Sequence, residues 1–168
     1  MRGITVSRVL ASRSSKAQPG DIVTAMLGFQ EVGILPEEMV FPVPALPPSA
    51  NYRDLIGLFN WSGLSGYFGM TWIGRPKKGE TVVVSAAAGA VGSIAAQVAK
   101  MAGARVIGTA GSEEKVRWLR EEVGLDVVLN WRDEDFEERF VEATAGWVDV
   151  FFDNGMYYLF TIRREILC

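Results

Sequence analysis

Between Glu80 and Lys100 the chain carries no charge, and this run changes character midway. β-Branched Thr81, Val82, Val83 and Val84 read as a buried strand, after which Val91, Ile94, Ala95, Val98 and Ala102 recur at helical spacing. The run is long enough to span a membrane, yet Ser85, Gly89, Gly92, Ser93 and Gln97 interrupt it. A strand, a turn and a helix buried in protein explain it better than lipid does. The same pattern then repeats: strand 81–86, helix 90–102, strand 104–109, helix 113–123, strand 126–129, helix 133–144 and strand 148–152. Such alternation predicts an α/β fold, a parallel sheet with helices on both faces. Val116, Leu119 and Val123 form the inward face of the second helix, and Phe136 and Phe140 that of the third.

Composition narrows the chemistry. The 168 residues include no histidine and one cysteine, Cys168, so zinc sites built from His and Cys, Ser-His-Asp triads and Cys-x-x-Cys redox pairs have no residues to work with. One cysteine makes no intramolecular disulfide, and a reducing, cytoplasmic setting is expected. Seventeen basic and 20 acidic residues give a net charge of −3, which is no footprint for nucleic acid. What remains is the chemistry of a bound cofactor.

Ahead of the alternation the chain reads differently. Arg2, Arg8, Arg13 and Lys16 precede the first acid, Asp21, a pattern that suits a targeting peptide. The preferred alternative is a pair of extended segments, 5–10 and 22–28, joined through a turn at Pro19, Gly20 and Asp21. A stiff proline-rich stretch at 42–48 then marks a domain boundary, and a helical pattern follows over 53–72. The expected domains are 1–48, 49–156 and a divergent tail, 157–168.

The junction from Val84 to Ser93 is a version of the glycine-rich dinucleotide fingerprint, with Ala87 in place of the first glycine. It follows a strand and opens a helix inside a βαβ unit, the context that makes the match informative. Beyond Ala88, Gly89 lets the backbone approach a pyrophosphate, and the N–H groups of Ala90, Val91 and Gly92 point out of the helix start. Read without a ligand, the same residues form a tight strand-to-helix turn. At the end of the second strand, where an NAD site usually places an acid, stand Thr109, Ala110, Gly111 and Ser112. Ser112 suits a 2′-phosphate or a plain helix N-cap equally well, and Lys115 either neutralises that phosphate or is solvated.

These stretches, with residues 63–69 and 148–154, resemble the zinc-independent medium-chain dehydrogenase/reductases, and within them the NADP-dependent alkenal and prostaglandin reductases. The resemblance implies a Rossmann-type doubly wound sheet, incomplete here, preceded by the C-terminal part of a GroES-like β domain. It implies NADP(H) as cofactor, no metal, and hydride transfer to the β-carbon of an enone or alkenal; a quinone is the near alternative as substrate. By matching positions, Ala88, Gly89, Ala90, Val91 and Gly92 hold the pyrophosphate, Gly111, Ser112 and Lys115 the 2′-phosphate, and Asn154 the nicotinamide ribose. Ser65 stands where the family has a threonine near the nicotinamide, or is an ordinary helix residue. Trp131 replaces a tyrosine near the adenosine phosphate, which weakens one expected hydrogen bond.

Family members are about twice this length, so the resemblance also implies a chain truncated at both ends. It lacks the strand that makes the family's usual homodimer contact, and no residue is assigned as catalytic. Against the reductase reading stands a catalytically inactive nucleotide-binding remnant. A short-chain dehydrogenase is excluded, since none of the four tyrosines has a lysine four residues on.

Overall fold

The computed structural model describes residues 3–154; the tail expected at 157–168 lies outside the described residues. Two compact units, Met1–Asn60 and Trp61–Cys168, make up the chain.

In the first unit, strands β1 (Thr5–Arg8), β2 (Ile22–Ala25) and β3 (Val40–Pro42) form an antiparallel sheet in the order β1-β2-β3. Thr5 faces Ala25 and Arg8 faces Ile22, while Val23 faces Pro42. Alternation puts Val23 and Ala25 of the central strand inside. The turn into β2 is built as its residues predict: Gly20 takes φ +98°, and the Asp21 amide bonds the Gln18 carbonyl at 3.0 Å. A short 3₁₀ turn, Tyr52–Leu55, ends this unit's ordered elements. Reciprocal bonds fix it, the Arg53 amide to Asn51 Oδ1 and the Asn51 amide to Asp54 Oδ2, each 2.8 Å.

The second unit begins at helix α1 (Trp61–Phe68), which runs into one π-helical turn, Gly69–Gly74. The stretch expected to be helical over 53–72 is therefore divided, because the Asn51 cap closes a single turn and the chain leaves helical geometry before α1 starts. Then β4 (Thr81–Val84), α2 (Ala90–Met101), β5 (Arg105–Ala110), α3 (Glu113–Glu121), β6 (Val127–Asn130), α4 (Phe136–Ala143) and β7 (Val150–Phe152) follow in strict alternation. The four strands are parallel and ordered β6-β5-β4-β7.

Two hydrophobic layers clothe this sheet. Val82, Val84 and Val106 pack with Ala95, Ala99, Leu119 and Met70 on one face; Val83, Ile107 and Leu129 pack with Phe136 and Phe140 on the other. Successive strand residues thus feed opposite layers, which is why β4 is apolar throughout. α4 starts three residues later than its sequence pattern suggests, since the Phe136 amide bonds the Asp133 carbonyl and makes 133–135 a turn. Among the described residues no helix is long and apolar enough to cross a membrane.

Candidate functional site

Chain direction reverses its path across the sheet between β4 and β7, the two strands that flank the switch point of the order β6-β5-β4-β7. In open parallel sheets of this kind, ligands bind beyond the carboxyl ends of the strands at that crevice. Four connections lie beyond the carboxyl ends of the strands: the turn after β4, Gly111 and Ser112 after β5, Trp131 after β6, and Asp153 and Asn154 after β7.

The turn after β4 is tight. Ala86 adopts the left-handed conformation, φ +47°, and its amide donates to Thr109 Oγ1 at 3.3 Å. The Ala87 amide donates to the Thr109 carbonyl at 2.8 Å. Thr109 is fully buried, so β5 holds the turn from below. A Cβ at Gly92 would meet the Ala86 carbonyl oxygen and lie 3.0 Å from Ala87 Cα, contacts with backbone that cannot give way. Gly89 is exposed and marks the edge of the turn; a Cβ there would stand 3.1 Å from the Ala86 carbonyl oxygen. Ala90, Val91 and Gly92 then open α2, where the first N–H groups have no intrahelical acceptor and point toward the crevice.

Helix α1 lies against this point. A Cβ at Gly66 would sit 2.7 Å from the Val91 carbonyl and 3.0 Å from Ile94 Cβ, so α1 and α2 touch backbone to backbone. Ser65, the neighbouring residue, is exposed, and the structure joins it to none of the other candidates by a hydrogen bond.

Ser112 caps α3. The Lys115 amide lies 3.4 Å from Ser112 Oγ, a long bond that leaves the hydroxyl proton free to donate elsewhere. Lys115 is exposed, with no ion pair among the described residues. Glu113, beside it, accepts a bond from Asn130 Nδ2 at 2.8 Å. Across β5 the Trp131 indole covers Gly111; a Cβ there would stand 2.7 Å from its Nε1. A shallow depression of 430 Å³ along α3 is lined by Ala88, Trp118, Lys115 and Arg117 together with Glu114, Glu121 and Glu122. The crevice, with the N-terminus of α2 at its edge, is the better candidate for the pyrophosphate.

The switch point itself is closed by a polar clasp. Ser85, wholly buried, donates to Asp153 Oδ1 at 2.7 Å and accepts from the Asn154 amide at 2.7 Å. Asn154 Nδ2 adds a 3.4 Å bond to the Ser85 carbonyl. Sequence reading singled out Asn154 but not Ser85, Asp153 or Thr109. The signal was present: a hydroxyl ending an otherwise apolar, doubly buried strand must find a partner.

A four-stranded parallel sheet in this order, with a glycine-shaped turn at its switch point, defines the Rossmann-type class. Residues 90–156 match the family described as "Zinc-binding dehydrogenase". The chain is 44% identical over 156 residues to prostaglandin reductase 1 of Bos taurus, covering 92% of this chain and 47% of that protein. To the NADP(+)-dependent 2-alkenal reductase of Nicotiana tabacum it is 38% identical, over 90% of this chain and 44% of the relative. The crystal structure of CurA from Vibrio vulnificus in complex with NADPH superposes with a TM-score of 0.88 at 33% identity, covering 99% of this chain and 49% of that one. The chain is similar over most of its length to these reductases, and it spans about half the length of the curated relatives it matches. The family's description names zinc, but among the described residues no three His, Cys, Asp or Glu side chains gather to hold a metal. These residues do not fit that ion.

Proposed function

We propose that this chain binds NADP(H) at the switch-point crevice and serves the reduction of the C=C bond of α,β-unsaturated aldehydes and ketones. The observation that carries the reading is the turn after β4: Gly92 is pressed against the Ala86 carbonyl, which aims the start of α2 at the crevice. That geometry suits a pyrophosphate, and the names of the relatives supply its kind.

In this reading the residues from Ala88 to Gly92 hold the pyrophosphate with backbone N–H groups, and the α2 dipole favours its charge. Ser112 donates its spare proton to the 2′-phosphate, and Lys115 neutralises it. Asn154, fixed by Ser85, holds the nicotinamide ribose, while Ser65 faces the nicotinamide from α1. Bound NADPH supplies the hydride. In this reading 1–48 is part of a GroES-like substrate domain and 49–156 the nucleotide-binding domain, although the first compact unit runs on to Asn60. A quinone in place of an alkenal is compatible with the same cofactor site.

The test is binding of NADPH and of NADH followed by nicotinamide fluorescence, for the parent and for Lys115→Ala. Preference for NADPH in the parent that disappears in the variant supports the reading. Equal affinity for both cofactors in the parent overturns the 2′-phosphate assignment, and failure to bind either overturns the cofactor site altogether.

A further inference from the structure

From the packing around Gly111 we infer that Arg132, stacked on Trp131, is a second cation for the phosphate end of the site, a specificity-determining residue beyond Lys115. The inference rests on the NADP(H) reading above. The Arg132 guanidinium carbon stands 5.0 Å from the centre of the Trp131 ring, within the range of a cation–π contact. The indole in turn lies against Gly111, where a Cβ would stand 2.7 Å from Nε1 and 3.0 Å from Cε2. Gly111 is therefore glycine for a reason: any side chain would displace the ring and the arginine seated on it. Gly111 and Ser112 have the α3 N-terminus with Lys115 on one side and the Trp131–Arg132 stack on the other.

One buried side chain organises both walls. Asn130, 8% exposed at the end of β6, donates through Nδ2 to Glu113 at 2.8 Å and accepts the Arg132 amide on Oδ1 at 3.2 Å. The first bond fixes the Glu113 carboxylate, which keeps its charge, against the end of β6; the second sets the backbone that carries the stack. Trp131 is 41% exposed, so part of its ring is open to solvent. No carboxylate among the described residues lies within ion-pairing distance of Arg132. An unpaired guanidinium, planar and pre-oriented on a ring, recognises a phosphate dianion better than a free lysine does. The indole Nε1–H, turned toward Gly111, is a donor on the same side of the ring edge.

The experiment compares NADPH and NADH dissociation constants for the parent, Arg132→Met, Arg132→Lys and Lys115→Ala, in low and in high salt. Arg132→Met is expected to weaken NADPH about five- to tenfold, with NADH changed less than about twofold, and the loss to shrink in high salt. Arg132→Lys restores only part of it, because the charge returns without the planar stack. If Arg132→Met leaves NADPH affinity unchanged while Lys115→Ala loses it, Arg132 has no such role and the NADP(H) reading stands. If Arg132→Met weakens both cofactors equally, its role is structural and the inference fails. A parent that does not prefer NADPH overturns both.

Discussion

Ser85 and Asp153, separated by 68 residues, share a hydrogen bond of 2.7 Å that joins the carboxyl ends of β4 and β7. The Ser85 hydroxyl uses both its capacities, since the Asn154 amide donates to it at 2.7 Å. In Ser85→Ala the Asn154 amide loses its acceptor and Asp153 one of its partners at the site where the sheet reverses. A destabilisation of about 1–2 kcal/mol is expected, read as a lower midpoint in urea unfolding. Asp153 is exposed and rehydrates, which keeps the figure from being larger. A midpoint equal to the parent's means that the clasp does not hold the strands together.

Gly66 and Gly92 are positions where backbone meets backbone. Replacing either by alanine puts a Cβ against carbonyl oxygens, of Val91 and Ala86 respectively, and neither neighbour has a flexible end to move. Overpacking of about 1–3 kcal/mol is expected at each, seen as a lower melting temperature. Gly146 serves as the control, because among the described residues nothing beyond its chain neighbours lies within 4 Å of its absent Cβ. Its alanine variant is expected to melt with the parent, within about 0.5 kcal/mol. A Gly92→Ala protein as stable as the parent contradicts the close-approach argument.

Thr109 carries the same logic to the turn. Its hydroxyl accepts the amide of Ala86, a residue in the left-handed region at φ +47°. Thr109→Val keeps the shape and removes that acceptor. The expected cost is about 1 kcal/mol, together with weaker NADPH binding as the α2 start loses its fixed direction. Unchanged affinity by fluorescence titration places the turn's rigidity elsewhere.

How much of this was legible depends on the range of the interaction. The strand–helix alternation could be read because burial leaves a local trace: Val82 and Val84 face one layer, Val83 the other, and the whole strand is apolar. Val116, Leu119, Phe136 and Phe140 also lie inside, as their spacing implies. The start of α4 and the break before α1 were misplaced, because each depends on a side-chain or turn bond, Phe136 to Asp133 and Asn51 with Asp54, that periodicity does not encode. The glycine turn was visible as a motif. Its supports were not, since Thr109 lies 23 residues from Ala86 and Asp153 lies 68 from Ser85. Trp131 is legible by position as a residue near the adenosine phosphate with one hydrogen bond weakened, whereas the place of its ring against Gly111 needs the structure.

Asp126 makes the fold's stability depend on pH in a stated direction. Burial raises its carboxyl pKa, but the Val106 amide, bonded to Oδ2 at 2.6 Å, and the Lys100 ammonium, 2.9 Å from Oδ1, together outweigh that and leave it below the ordinary value of 3.8. A carboxyl with a lower pKa in the folded state binds fewer protons than in the unfolded chain. Its contribution is therefore fully present above the unfolded value and is lost as pH falls through the folded one. Acid denaturation of the parent is expected to be steeper than that of Asp126→Asn, followed by circular dichroism from neutral pH downward; parallel curves refute the assignment. The two partners also separate by salt. Lys100 and Asp126 are 30% and 37% exposed at their side chains, so high salt weakens that pair, whereas the bond from the part-buried Val106 amide is little screened. Lys100→Met is accordingly expected to cost less at neutral pH than Asp126→Ala, which also leaves the Val106 amide without its acceptor.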